Sequence, residues 1–216
     1  MIAEGRVRVN GKPARLGQKV DPAMDEVQVD GSRVPLQTDL VWYLVNKPVG
    51  VVSTASDPEG RPTVVELVDV PGRVWPVGRL DIDSEGVVLV TNDGELTHRL
   101  THPRFEVPKT YVAEVSGGVA DPAVKQLLRG VELEDGPAAA SHVHVVDRRP
   151  GATLVEITIT EGRNRQVRRM FEAVGSTVTR LVRVSLGPLM LGRLKPGRAR
   201  RLGPDEVRTL YRAARL

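Results

Sequence analysis

The chain has 216 residues, 40% of them hydrophobic, enough for one large domain or a large domain with a small companion. It has no cysteine, which excludes disulfides, thiolate metal sites and thiol catalysis, and it carries neither a signal-peptide core nor an apolar run of membrane-spanning length, which points to a cytoplasmic protein without membrane association. The 31 lysines and arginines against 27 acidic residues leave a net charge of only +4, so any surface for a polyanion must come from clustering, and the clusters EGRNRQVRRM and LGRLKPGRARRL both lie in the C-terminal third.

At the N-terminus, RVRV (6–9) alternates and ends at Asn10-Gly11, the dipeptide best suited to a two-residue hairpin because both residues tolerate positive φ. EVQVDG (26–31) repeats the device. The pattern predicts a small β-rich module over 1–36, too short to be stable alone, with the PLQTD segment marking a linker that reaches 37–40. The remainder, 41–216, forms the second part.

In that part the windows VWYLV (41–45), VVLV (87–90), TYVAEV (110–115), SHVHVV (141–146), TLVEITI (153–159) and TVTRLV (177–182) read as strands rich in β-branched residues. Helices are fewer. Asp121 as N-cap, Pro122 in the first turn and Gly130 as terminator frame one. In NRQVRRMFEAVG, Asn164 is the expected N-cap and Gly175 the terminator, with Val167, Met170, Phe171 and Val174 on the apolar stripe. Arg165 and Arg169 project away from that stripe, whereas Arg168 falls on its border. Val207, Leu210, Tyr211 and Ala214 make a last amphipathic stripe. Strands interrupted irregularly by helices predict an α+β domain on a mostly antiparallel sheet.

The segment GRLDIDSEG holds three carboxylates, Asp81, Asp83 and Glu85, at alternate positions. A calcium loop is excluded, because the twelfth position is Asn92 and the flank is a strand. His98 and His102 stand four apart, but without an intervening glutamate or a third ligand they read as capping or surface residues. No metal site is expected. Phosphate-binding glycine loops and a serine-nucleophile elbow are absent from the sequence. Strand alternation puts residues 81, 83 and 85 on one side and does not say which of them acts. A lone carboxylate beside an arginine suits nucleophilic or electrostatic assistance at a sugar C1′, as well as it suits a salt bridge in a turn.

The stretches NKPVGVVST, PVGRLDIDSEGVVLVTNDGELTHRLTHP, KTYVAEVSG, EGRNRQVRRMFEAVG and LVRVSLGPLMLGRLKPGRARRL, in that order, resemble the ribosomal-RNA pseudouridine synthases that modify single uridines, and among them the B-type branch acting on large-subunit rRNA. The resemblance covers nearly the whole chain. It implies the pseudouridine synthase fold, a mixed and mostly antiparallel sheet with flanking helices and a central cleft. It also implies an N-terminal unit similar to the second half of an S4 RNA-binding module, although the basic helices expected ahead of GRVRVNG have no counterpart, the chain beginning at MIAEG. Asp81 matches the nucleophile, Tyr111 the residue that stacks on the target base, and Arg168 the partner of an ion pair with Asp81. Arg79, Arg163, Arg165, Arg169, Lys47 and Lys109 are the candidate RNA contacts. No cofactor is implied, because substrate and product are isomers. The expected partner is ribosomal RNA, the expected state a monomer with no obligate protein partner. Competing readings are a small-subunit rRNA synthase, a non-catalytic rRNA-binding assembly factor, and a glycosidase-like hydrolase that would release free uracil.

Overall fold

Asn10 and Gly11 take left-handed backbone angles, φ 50° and 76°, and Asp30 and Gly31 repeat them at 51° and 79°. Each pair closes a two-residue hairpin, the first between β1 (Val7–Val9) and β2 (Lys12–Pro13), the second between β3 (Val27–Val29) and β4 (Ser32–Val34). Val9 faces Lys12 and Val29 faces Ser32, so the register leaves the two dipeptides as the turns. β1 also pairs with β3, giving the order β2-β1-β3-β4. This sheet belongs to a unit of residues Met1–Val41, and a second unit spans Trp42–Leu216. The computed structural model describes residues 1–21, 24–34 and 40–216; apart from Leu40, the expected linker 37–40 lies outside the described residues.

The second unit is α+β. Its elements run β5 (Trp42–Lys47), β6 (Trp75–Val77), β7 (Glu85–Thr91), α1 (Gly94–Thr101), β8 (Lys109–Ser116), α2 (Asp121–Arg129), β9 (Val131–Leu133), β10 (Gly136–Ala138), β11 (His142–Arg149), β12 (Ala152–Ile159), α3 (Gln166–Ala173), β13 (Thr177–Leu186), β14 (Leu189–Met190), β15 (Ala199–Arg201) and α4 (Pro204–Ala213). Every strand window read from the sequence falls within or overlaps one of these strands. The large sheet has the order β11-β12-β8-β13-β7-β5-β15, with β6 and β14 paired at β7 and β13, and is antiparallel except where β7 meets β13.

Helix starts differ from the sequence reading in detail. Ala120, not Asp121, occupies the N-cap of α2; Asp121 is its first residue, where a carboxylate favours the helix dipole, and it also pairs with Arg148 at 2.8 Å. Gly130 closes that helix as expected. α3 begins two residues after Asn164, with Arg165 at the N-cap in a left-handed conformation, φ 47°. Helix α1 has no counterpart in the sequence reading. Its signal is Asp93, whose carboxylate accepts from the Leu96 N–H at 3.0 Å, followed by Leu96 and Leu100 one turn apart and fully buried.

One core cluster joins Leu44, Leu89, Leu96, Leu100, Leu186 and Leu202 to the predicted stripe of α4, with Leu210 and Ala214 inside it and Val207 and Tyr211 packed against it. The parallel contact of β7 with β13 is short, pairing Glu85 with Val182 and Gly86 with Arg183. Gly86 is indispensable there: at φ 110°, a Cβ would sit 2.2 Å from the Arg183 carbonyl oxygen. Replacing Gly86 by alanine should therefore cost at least about 2 kcal/mol, because only backbone can give way. A thermal melt of Gly86→Ala that matches the wild type would contradict this reading of the junction.

Candidate active site

Asp81 follows β6 and precedes β7, in a segment that is a turn and not the extended strand the alternation suggested. The Ser84 N–H donates to the Asp81 carbonyl at 3.0 Å, and β7 begins only at Glu85. Hydrogen bonds to the main chain pin this turn on three sides. Ser53 Oγ donates to the Leu80 carbonyl at 3.0 Å and accepts from the Leu80 N–H at 3.1 Å. The Gly50 N–H donates to the Ile82 carbonyl at 2.9 Å. Arg168 Nη2 donates to the Asp83 carbonyl at 3.1 Å, while Nη1 of the same guanidinium donates to the Val178 carbonyl at 3.0 Å.

The turn separates the three carboxylates that the sequence could not tell apart. Asp83 is paired with Arg165 at 3.1 Å and Arg168 at 3.3 Å. Glu85 is held by Arg180 through two bonds, 2.8 and 3.1 Å, and this guanidinium keeps its carboxyl below the usual range. The carboxylate of Asp81, half-buried, accepts no hydrogen bond and forms no ion pair among the described residues. The expected ion pair of Arg168 is thus formed with Asp83, since the guanidinium is already committed to two carbonyls on that side of the turn.

Asp81 lines a cleft of about 240 Å³ that also takes in Arg79, Lys109, Tyr111, Arg163, Arg165 and Arg183. Tyr111 comes from β8 with only 7% of its surface exposed. A second depression of about 480 Å³ shares Arg79, Leu80, Asp81 and Arg165 with the first, so Asp81 stands on the ridge between them. Arg79 is exposed there, with no partner for its guanidinium among the described residues.

The other candidate RNA contacts sort differently. Arg165 is exposed on the cleft rim while paired with Asp83. Arg163 and Arg169 clamp the turn between β9 and β10: Arg163 donates to the Gly136 carbonyl at 2.9 Å and to Asp135, and Arg169 binds both Asp135 oxygens at 2.9 Å. That double clamp pulls the Asp135 carboxyl down to about 2. Lys109 lies in the cleft with its Nζ bonded to the Val107 and Thr160 carbonyls at 2.9 and 3.2 Å, and burial pushes its pKa down to about 8.

Lys47 corrects an expectation outright. It is fully buried, donating to the Pro48 and Val51 carbonyls at 2.9 and 2.8 Å, and no phosphate reaches it. Burial pushes its pKa down to about 8, opposed by the attraction of Asp83, Asp81 and Glu85, so Lys47 is a cation in the interior facing the carboxylate turn. His98 and His102 lie with ring centroids 5.3 Å apart, and His102 Nδ1 caps a short turn by accepting from the Arg104 N–H at 3.2 Å.

Residues 41–173 match the RNA pseudouridylate synthase family. The chain belongs to that family. It is 49% identical to an uncharacterized RNA pseudouridine synthase of Mycobacterium tuberculosis over 100% of this chain and 87% of that one. It is 43% identical to the ribosomal large subunit pseudouridine synthase B of Bacillus subtilis, over 97% and 87% of the two chains. A crystal structure of a pseudouridylate synthase superposes with a TM-score of 0.74 at 30% identity, covering 97% of this chain and 90% of the other. This synthase is accordingly an isomerase acting on RNA, built on the pseudouridine synthase fold.

The buried Lys47 gives a prediction with a definite sign. Its folded pKa lies below its unfolded one, so between pH 8 and about 10.5 the unfolded chain holds the extra proton and stability rises with pH. Melting curves across this window should rise more steeply for the wild type than for Lys47→Met. Equal slopes would place Lys47 outside the buried site described here.

Proposed function

We propose that this synthase isomerises a specific uridine of large-subunit (23S) ribosomal RNA, with Asp81 as nucleophile. The observation that carries the reading is that, of Asp81, Asp83 and Glu85, only Asp81 lacks a cationic partner among the described residues while lining a cleft with Tyr111. Asp81 attacks the ribose C1′, and the C1′–N1 bond breaks with its electron pair moving into the uracil ring. The base turns on the face of Tyr111, which holds it by stacking. C5 then attacks C1′ and displaces the carboxylate; the C5 proton passes to solvent and N1 takes one up. Atoms and charge balance without oxidant, reductant or hydrolytic water, so no cofactor is called for.

Arg168 is a positioning residue in this scheme, holding the Asp83 end of the turn, and Lys47 adds a fixed positive field in the interior. The target nucleotide must leave its stack, at a cost of a few kcal/mol that phosphate contacts offset. Arg79 and Arg165 are the arginines best placed for those contacts, on the ridge shared by the cleft and the second depression. Arg163 and Arg169 act through the β9–β10 turn that they clamp. The N-terminal unit, whose two hairpins form a four-stranded sheet, is read as a partial S4-like RNA-binding module over residues 1–36. The large-subunit substrate is supported by the names of relatives at 42–43% identity. We also propose that the enzyme is cytoplasmic and monomeric; among the described residues no helix is long and apolar enough to cross a membrane.

Release of tritium from C5-labelled uridine in a large-subunit rRNA fragment reads the reaction directly. Asp81→Asn should bind the fragment as the wild type does and lose more than about 1,000-fold in rate; undiminished release would remove Asp81 from the mechanism. Mapping pseudouridines in rRNA from cells lacking the protein should show one missing in the large subunit, whereas a missing small-subunit site, or none, would favour the small-subunit or assembly-factor alternatives.

A further inference from the structure

Arg183 has no place in the scheme above, yet it is the most deeply buried arginine bordering the cleft, 3% exposed. Its Nε is fixed on the Val87 carbonyl at 2.7 Å, while its Nη2 is buried and has no hydrogen-bond partner among the described residues. A buried guanidinium N–H without an acceptor has given up its water with nothing in return, so its persistence asks for a ligand. Two more buried polar atoms without partners among the described residues, Ser84 Oγ and Gln166 Nε2, belong to residues lining the same cleft. All three therefore border the space beside Asp81.

Register fixes where this guanidinium lies relative to the base. Arg183 on β13 is the antiparallel partner of Tyr111 on β8, and residues so paired carry their side chains side by side on one face, with Cβ atoms about 5 Å apart. A register shift between Arg183 and Ser185 follows at once, the kind of irregularity that re-aims a side chain. A ring stacked on Tyr111 accordingly presents its edge to Arg183. That edge carries carbonyl oxygens, and these gain negative charge when the glycosidic bond breaks.

We propose that Arg183 is a further catalytic residue: its Nη2 donates to a carbonyl oxygen of the target uracil and stabilises the charge the base acquires as C1′–N1 breaks. The bond electrons go to N1 and spread onto the ring oxygens, and they return to form the C5–C1′ bond, so Arg183 exchanges no proton and is unchanged at the end. The donor is anchored before the substrate arrives and lies in a site shielded from water, the condition in which such a group acts most strongly. This inference rests on the C1′ mechanism proposed above.

Arg183 also ties β13 to β7, so the test must separate chemistry from folding. The fragment carrying the mapped target is prepared with uridine or with 5-fluorouridine at that position, whose base is the more acidic and needs less help to leave. Single-turnover consumption of the target nucleoside is read by chromatography for wild type, Arg183→Met and Arg183→Lys. Arg183→Met should lose on the order of 100-fold with uridine and less than about 10-fold with 5-fluorouridine. Because both substrates meet the same preparation, partial loss of folded protein cancels in the comparison. If Arg183→Met does not fold, Arg183→Lys, which keeps the charge but not the fork of donors, carries it with the same inequality. Equal losses on the two substrates, or no loss, overturn the role of Arg183. A wild type that consumes neither substrate overturns instead the mechanism beneath it.

Discussion

The site depends on a turn whose main chain is tied down while one side chain is left untied. Ser53 holds Leu80 by both its N–H and its carbonyl, Gly50 holds Ile82, and Arg168 holds Asp83. Asp81 lies inside this frame, so its carboxylate is placed by its neighbours' backbone bonds and not by a bond of its own. A nucleophile tied directly to a guanidinium would give up part of its basicity and would have to break that bond to react. Here the arginines neutralise Asp83 and Glu85, and their charge reaches Asp81 only through space.

Sheet topology explains why the turn sits where it does. β7 and β13 meet in parallel for one short stretch within an otherwise antiparallel sheet, and the Asp81 turn leads directly into that stretch. The close approach of Gly86 to the Arg183 backbone fixes the junction. Carboxylate, tyrosine and buried guanidinium thus come from the turn leading into β7 and from two strands, β8 and β13, and sheet hydrogen bonds set the spacing of β7, β13 and β8. Sites supported by strands in this way keep their geometry better than sites on loops alone.

Much of this was legible in the sequence, and the parts that were not share a cause. Strand windows, both hairpins and the stripe of α4 follow from periods of 2 and 3.6 and from Asn-Gly and Asp-Gly, all local signals. The choice of Asp81 over Asp83 and Glu85 was legible only through resemblance, because the partners that separate them, Arg165, Arg168 and Arg180, arrive from more than eighty residues away. The same non-locality hid the role of Lys47, which looks like a surface lysine in NKPVG but ends fully buried. Arg183 did leave a trace: with Leu181 and Ser185 it falls on the inward face of β13, a charge where alternation calls for an apolar residue. Helix α1 was missed because its eight residues are mostly polar and only the Asp93 cap and two leucines mark it.

If fixing the backbone of the turn is what aims Asp81, the KM and kcat of Arg168→Lys will show it. Lysine keeps the positive charge but cannot bridge the Val178 and Asp83 carbonyls at once. The expected result is a folded protein with unchanged KM and a kcat lower by on the order of 100-fold, the scale of a displacement of about 1 Å at a reacting group. A folded Arg168→Lys enzyme with wild-type kcat would show that charge alone suffices, and the pinned turn would lose its place in the mechanism.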